Sequence, residues 1–141
     1  MAYYTLEPEV AGGLGAGTVM DTTVHPPRVT RLHYEVEDWL GDDLVESFPC
    51  FLVSAPLAAR LTAAGLGSFA LRGVTVTTTP EADEQLGDGA LPEFQWLDVT
   101  GVAGRDDVGV TPNGQLVVSD KALALLREFT IDNCDVEVLQ P

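Results

Sequence analysis

Two histidines near acidic residues are the side chains of this sequence best suited to acid–base or metal chemistry. His25 and His33 lie close to Asp21 and Glu35 along the chain. An imidazole beside a carboxylate can serve as a general base or as a metal ligand. The spacing matches no compact zinc pattern, so the preferred interpretation is ordinary hydrogen-bonded histidines, and we assign no catalytic or metal-binding residue. A small enzyme that uses His25 or His33 stays as an alternative hypothesis.

Other segments that could carry chemistry are better explained by structure. Residues 12–17 are glycine-rich, but Gly13, Gly15 and Gly17 read GxGxG, whereas a dinucleotide fingerprint reads GxGxxG and opens a helix. We therefore predict a structural or partner-contacting loop and no cofactor. Ser54 and Ser119 lie outside any GxSxG elbow and are predicted to cap helices. Cys50 and Cys134 are far apart and are predicted to be free, buried thiols.

The acidic residues form long stretches without a positive charge. Residues 32–59 and residues 73–104 each contain six acids and no Lys or Arg. The calcium-loop spacing of an EF-hand is absent from both. Such stretches attract cationic proteins, and an aromatic residue within one of them offers an interface anchor. We predict a contact surface formed by Glu35, Glu37, Asp38, Trp39, Asp42, Asp43 and Glu46. An acidic face that serves only solubility is a competing explanation, and a salt-adapted organism or a high-GC genome would also produce this composition.

Among the elements that must position these residues, one sequence pattern of strand, cap and helix occurs twice. Residues 49–53 form an apolar run of strand length, Ser54 is an N-cap candidate, and helical spacing follows until Gly65 and Gly67. Near the other end of the chain, residues 115–118 predict a strand, Ser119 a cap and residues 121–129 a helix. A shift of 65 residues aligns Val53 with Val118 and Ser54 with Ser119. This predicts a duplicated strand–helix–strand unit.

The remaining elements are shorter. Residues 39–45 predict a turn joined to a short helix, and residues 80–89 and 106–114 predict loops, with Asn113-Gly114 as a hairpin turn. Strands are predicted at residues 3–6, 18–24, 29–36, 69–79, 91–99 and 134–139, the last with Cys134, Val136 and Val138 facing inward. No linker divides the chain. The sequence predicts a single α+β domain over residues 1–141, with a mixed or antiparallel sheet and two main helices.

Charge and composition narrow the partners. The 141 residues include 22 Asp plus Glu against 7 Lys plus Arg, for a formal net charge of −15, and 45% of them are hydrophobic. The apolar fraction is high enough for a folded core. Nucleic-acid binding is disfavoured because phosphates require clustered cations. The sequence shows neither a secretory signal nor a transmembrane run, so we expect a cytoplasmic protein that does not enter a membrane.

Several short motifs together resemble a known protein family. They are Tyr3-Tyr4 followed by residues 9–15 (EVAGGLG), Trp39 with Asp42-Asp43-Leu44, residues 92–97 (PEFQWL), and residues 106–123 ending in VVSDKAL, with Phe129 and Cys134 beyond. In these motifs the chain resembles the eleventh numbered immunity family of bacterial polymorphic-toxin systems, once catalogued as a domain of unknown function common in myxobacteria. A related family carries paired CxxCG motifs, which this chain lacks.

The resemblance implies a small, non-enzymatic α+β protein that binds and neutralises a toxin encoded beside it, often a nuclease. A nuclease cleft is cationic, so an acidic inhibitor suits it. The leading hypothesis is therefore a cytoplasmic immunity protein whose partner is a cognate toxin with a basic surface. An acidic accessory or scaffold protein of another assembly is the second hypothesis, and the histidine-based enzyme is the third.

Overall fold

The computed structural model describes residues 2–86 and 91–139, and these form thirteen strands and three helices. In chain order the elements are β1 (Tyr3–Glu7), β2 (Gly12–Leu14), β3 (Val19–Asp21), β4 (Arg28–Arg31), β5 (His33–Val36), β6 (Leu44–Ser47), β7 (Cys50–Ser54), α1 (Ala55–Ala63), β8 (Phe69–Arg72), β9 (Thr75–Thr78), α2 (Pro80–Leu86), β10 (Phe94–Val99), β11 (Val108–Val110), β12 (Leu116–Ser119), α3 (Asp120–Leu126) and β13 (Asp135–Val138). No helix within the described residues is long and apolar enough to cross a membrane.

The strands form several small sheets, which confirms the predicted α+β class. Two sheets have four strands each, in the orders β6-β7-β10-β8 and β11-β12-β1-β13. A third sheet has the order β2-β5-β9, and β3 pairs with β4 alone. Neighbouring strands are antiparallel throughout, except for the parallel pair β5 and β9.

The two four-stranded sheets belong to two units of the same design. We name β6, β7, α1, β8 and β10 the first unit, and β11, β12, α3, β13 and β1 the second unit. In each, a hairpin leads into a helix, an edge strand follows, and a further strand lies in the middle of the sheet. The residues beside the middle strand also correspond at the shift of 65: Phe51 and Leu71 flank Leu97, and Leu116 and Val136 flank Leu6.

The predicted serine caps are confirmed in both units. The Ser54 hydroxyl oxygen accepts a hydrogen bond from the Leu57 N–H at 3.4 Å, and the Ser119 oxygen accepts one from the Ala122 N–H at 3.2 Å. Both serines are buried. Each cap satisfies an N–H group that the first turn of a helix leaves without a partner.

Two cores hold the elements together. The first core lies between the two units and contains the buried faces of α1 and α3. The second core lies between the opposite face of the first unit and the β2-β5-β9 sheet with α2. Successive side chains of β7 point to opposite faces of its sheet. Phe51 and Val53 therefore enter the first core, while Cys50 and Leu52 enter the second core. A strand that is apolar on both faces therefore becomes the shared wall of two cores.

Four predictions are wrong: one helix, two loops and one helix end. No helix follows Trp39, because Leu44 and Val45 are buried on opposite faces of strand β6 and enter different cores. The loop predicted over residues 80–89 contains helix α2, in which Ala82 is buried and its N–H is capped by Thr79 at 3.2 Å. Residues 87–90 of that prediction lie outside the described residues. The loop over 106–114 contains β11, and α3 ends at Leu126 rather than 129.

The predicted strands also differ in extent. The continuous strand over residues 69–79 is two strands, β8 and β9, that join different sheets, and residues 29–36 likewise split into β4 and β5. The glycine-rich segment contributes β2 to the third sheet. Val138, expected to face inward, is 56% exposed because β13 is an edge strand.

Candidate partner-binding surface

The seven residues predicted as a contact surface lie at very different depths. Glu37 and Asp38 are exposed, and Glu35, Trp39, Asp43 and Glu46 are half-buried. Asp42 is fully buried, with 0% of its surface exposed. The exposed members remain candidates for contact, whereas Asp42 presents no surface to a partner in this structure.

Asp42 fastens the loop before β6 to the far end of the chain. Its carboxylate accepts hydrogen bonds from the Asn133 backbone N–H at 2.9 Å and from the Asn133 side-chain amide at 3.0 Å. Its own N–H donates to Glu9 at 3.2 Å, and the Leu40 N–H donates to the other Glu9 oxygen at 2.6 Å. Two buried carboxylates thus satisfy four donors, which is a structural role.

Asp43 has a structural role as well. One of its carboxylate oxygens accepts the Ser54 hydroxyl at 2.6 Å, and the other accepts the Thr130 N–H at 2.8 Å. The Asp43 N–H donates to the Thr130 carbonyl at 2.7 Å. The residue therefore orients the cap of α1 and joins the first unit to the segment after α3.

Trp39, the predicted aromatic anchor, is held within the fold. Its Nε1–H donates to the Asp42 carbonyl at 2.9 Å, and its ring meets Phe94 edge to face with centroids 6.2 Å apart. Such contacts fix the indole in one orientation. The exposed apolar residue of this loop is its neighbour Leu40, which is 61% exposed.

Leu40 and Glu46 belong to a groove that the sequence did not predict, which we name the acidic groove. Its volume is about 530 Å³. Three large apolar side chains along it are exposed to solvent: Val10 at 65%, Leu40 at 61% and Phe48 at 45%. Its carboxylates come from Glu7, Glu9, Glu46 and Asp135, and no Lys or Arg lies among the described residues that line it.

Like charges face one another in this groove. Glu7 of β1 lies directly opposite Asp135 of β13 in the antiparallel register, and both are exposed. Glu46 is the third carboxylate: burial, with a smaller contribution from the Glu7 charge, raises its pKa to about 7. A cross-strand pair of like charges is destabilising, so the fold gains nothing from this arrangement. Burial also raises the pKa of Glu9, whose oxygens are already occupied by backbone donors.

The histidines do not converge on a site. The His33 Nδ1 accepts the Gly17 N–H at 2.9 Å, and its Nε2 lies 2.7 Å from the Thr77 hydroxyl. A Cβ atom on Gly15 would come within 2.3 Å of the His33 ring, so the glycine there admits the imidazole. The glycine-rich segment was predicted to be a loop, but residues Gly12–Leu14 of it form strand β2. His25 is exposed and lies beside Phe48, with ring centroids 6.0 Å apart.

The structure also bears on the metal site and the free thiols considered from the sequence. Within residues 2–86 and 91–139, no group of three or more His, Cys, Asp or Glu side chains is placed to hold a metal ion. Both cysteines are free, as predicted, with Cys50 buried and Cys134 half-buried. Burial raises the pKa of Cys50 to about 12 and that of Cys134 to about 11, so both are thiols at neutral pH.

Glu7 and Asp135 were missed because they are far apart in sequence and become neighbours only when β1 pairs with β13. The role of Asp42 and Asp43, in contrast, had a sequence signal. The same Asp-Asp pair recurs as Asp106-Asp107 immediately before β11, and the Asp107 carboxylate accepts the Ser119 hydroxyl at 2.6 Å. A pair that repeats with the unit belongs to the unit's architecture.

Neither a model of a protein family nor a curated protein sequence matches this chain.

Proposed function

We propose that the protein is an immunity protein that binds a basic segment of a cognate bacterial toxin in the acidic groove. The observation that carries the proposal is the opposition of Glu7 and Asp135 beside Glu46, in a groove whose described lining holds no cation. Charges that are unfavourable for folding are favourable for binding a Lys or Arg side chain. The exposed Val10, Leu40 and Phe48 supply the apolar contacts that an interface centre requires.

The assignment of the partner as a toxin rests on the family resemblance of the sequence motifs. The charge and the exposed apolar residues of the groove support a basic partner with apolar neighbours, and the resemblance supports a toxin as that partner. Glu37 and Asp38 are exposed in the segment before Leu40 and extend the negative surface beyond the groove. Their long-range contribution is to the rate of association, which falls as salt rises.

The decisive variant is Glu7→Lys, because stability and binding should change in opposite directions. A lysine at this position faces Asp135 across the strands and replaces a repulsive pair with an attractive one. We expect a gain of about 0.5 kcal/mol in the free energy of unfolding. The same lysine repels a basic partner, so toxin affinity should fall at least tenfold.

The experiment uses the product of a toxin gene adjacent to the gene for this protein. Affinity is measured by calorimetry at low and high salt, and protection by growth of cells that express both proteins. Glu7→Lys is compared with Glu84→Lys, which makes the same charge change on an exposed position of α2, and urea denaturation measures the stability of both. Equal toxin affinity for the two variants would reject the acidic groove. Binding of a basic partner by the wild type without any protection in the growth assay would favour the accessory-protein hypothesis.

A further inference from the structure

A second groove, which borders the acidic groove at Gly114, carries the opposite charge. It has a volume of about 540 Å³ and is lined by Arg28 of β4, Arg72 of β8 and Trp96 of β10. A smaller groove of about 430 Å³ adjoins it through Arg72 and Trp96 and adds Arg31. We name the larger of the two the arginine groove. Three of the chain's seven cationic side chains thus surround one tryptophan, and Asp98 is the one carboxylate in the described lining of either groove.

Arg72 is oriented with most of its donors unused. Its Nε donates to Asp98 at 2.7 Å, and the guanidinium carbon lies 6.0 Å from the centroid of the Trp96 ring. The ion pair and the cation–π contact fix the plane of the group. Neither terminal nitrogen of Arg72 has a hydrogen-bond partner among the described residues, and 55% of the side chain is exposed. A guanidinium held in this way offers paired N–H donors to an anion with two oxygens.

Arg60 offers a contrast, because it forms a two-point contact with a single carboxylate. Its Nε and one terminal nitrogen bind both oxygens of Glu128, at 3.1 and 3.2 Å. Arg28, in contrast, makes no side-chain hydrogen bond or ion pair with the described residues, although 22 acids are present in the chain. Arg28 lies opposite Asp21 in the register of β3 and β4. The arginine groove therefore has one oriented guanidinium and a second positive charge whose nitrogens have no hydrogen-bond partner among the described residues.

Most of the other side chains that line the groove are apolar, and three of them are prolines. Pro26, Pro27 and Pro49 border the groove together with Val99 and Val110. Proline side chains lose little entropy when a ligand covers them. The volume lies within the range of small-molecule sites. Gly114 lines this groove as well as the acidic one, and it packs where an added Cβ would meet Phe48 at 3.0 Å and Pro26 at 3.2 Å, so the two grooves are close neighbours.

We propose that the arginine groove binds an organic carboxylate, with the carboxylate on the free donors of Arg72, Arg28 supplying the second positive charge, and the apolar part of the ligand against the prolines. The carboxylate can belong to a free acid or to the carboxyl terminus of a peptide, since both present the same two oxygens. An anion with an apolar body is favoured over inorganic phosphate because three prolines and two valines border the groove beside the charges.

The test is an NMR titration with phenylacetate and, as the neutral counterpart, 2-phenylethanol. The protein has two tryptophans, so the Trp96 indole signal reports the groove while the Trp39 indole, bonded to Asp42, serves as an internal reference. We expect phenylacetate to shift the Trp96 signal in a saturable manner and the alcohol to leave it in place. A peptide ending in a free phenylalanine carboxylate, compared with its amide, shows whether a chain terminus is preferred.

Variants locate the binding site. Arg72→Gln should weaken phenylacetate binding at least tenfold and Arg28→Gln about threefold, while Arg60→Gln should bind like the wild type. Arg28 is exposed and makes no hydrogen bond or ion pair with the described residues, so Arg28→Gln is expected to fold. This variant keeps the test valid if Arg72→Gln fails to fold. Equal shifts from the acid and the alcohol, or wild-type affinity in both groove variants, would overturn the proposal. Toxin binding does not enter any of these measurements.

Discussion

The two units place the same Asp-Asp pair in different surroundings. In the first unit Asp42 is fully buried and reaches Asn133, in the segment after the helix of the second unit. In the second unit the corresponding Asp106 is 27% exposed in its side chain and accepts the Val102 N–H at 2.7 Å. That bond, with smaller contributions from Arg105 and Ser68, lowers the pKa of Asp106. Ser68 follows the helix of the first unit, 65 positions before Asn133, so each unit contacts the other at an equivalent place.

One sequence pattern can therefore determine which segments a carboxylate joins without determining how deeply that carboxylate is buried. The outer face of the first unit is covered by a complete second core, which includes Tyr34, Leu52 and Trp96. The bridge between Val102 and Val110 places the short loop before β11 beside the second unit. Because more of the molecule is built on the first unit, changes to its shared motif should cost more than the same changes in the second.

The largest expected effect comes from Asp42→Ala compared with Asp106→Ala. Removing the buried Asp42 carboxylate takes away the acceptor of two part-buried donors of Asn133, which should lower the free energy of unfolding by about 2 to 3 kcal/mol. Asp106→Ala should cost clearly less, because water can replace a carboxylate that is partly exposed. Urea denaturation of both variants measures the difference. Equal losses would mean that depth does not distinguish the two units.

A smaller and more symmetric effect is expected at the caps. Ser54→Ala and Ser119→Ala each remove an N-cap and the donor to an aspartate, and each should cost about 1 to 2 kcal/mol. Double variants with Asp43→Ala and Asp107→Ala measure the coupling between cap and aspartate within each unit. We expect the two coupling energies to agree within about 0.5 kcal/mol, since the hydroxyl–carboxylate distance is 2.6 Å in both. A marked inequality would show that the caps are not equivalent.

The smallest effect concerns a position at which the units differ in polarity. Glu46 corresponds to Val110, since Glu46 pairs with Phe51 and Val110 pairs with Leu116. The pKa of Glu46 is raised from 4.5 to about 7, so the folded state holds its proton more tightly than the unfolded state does. Its contribution to stability is therefore full below pH 4.5 and is lost as the pH rises to 7.

Glu46→Val, which copies the second unit, should remove that loss. We expect the variant to be more stable than the wild type at pH 8 by about 1 kcal/mol, a value reduced for solvent screening of the partly exposed carboxylate, and to show less change between pH 5 and pH 8. Thermal unfolding at both pH values measures this, with Glu46→Gln as the variant that keeps the side-chain length. A wild-type pH profile in both variants would exclude Glu46 as the titrating group.

Much of the fold was predictable where local chemistry decided it. The apolar run before Ser54, the cap and the glycines after α1 all carry local signals, and the second unit repeats them at Ser119. Strand β6 was mistaken for part of a helix because Leu44 and Val45 are adjacent apolar residues whose opposite faces become evident only when two cores form. Helix α2 was missed because its sequence is polar except for Ala82 and Leu86.

The contact surface was less predictable for a physical reason. The density of charge along a chain does not show whether a carboxylate faces water or a backbone N–H group. The carboxylates of Asp42 and Asp43 accept hydrogen bonds from N–H groups about 90 positions away in the sequence. The acidic groove draws Glu7 and Asp135 from opposite ends of the sequence, and the arginine groove joins Arg28 to Arg72. Only pairing between distant strands brings these residues together.

The placement of β1 has a consequence for the order in which the molecule is made. This strand is synthesised before the other described elements, yet its partners β12 and β13 are among the last of them. Tyr3 pairs with Ser119, and Glu7 pairs with Asp135. The first unit pairs only strands that lie within residues 44–99. The second unit, and with it the acidic groove, cannot close before β13 has been synthesised.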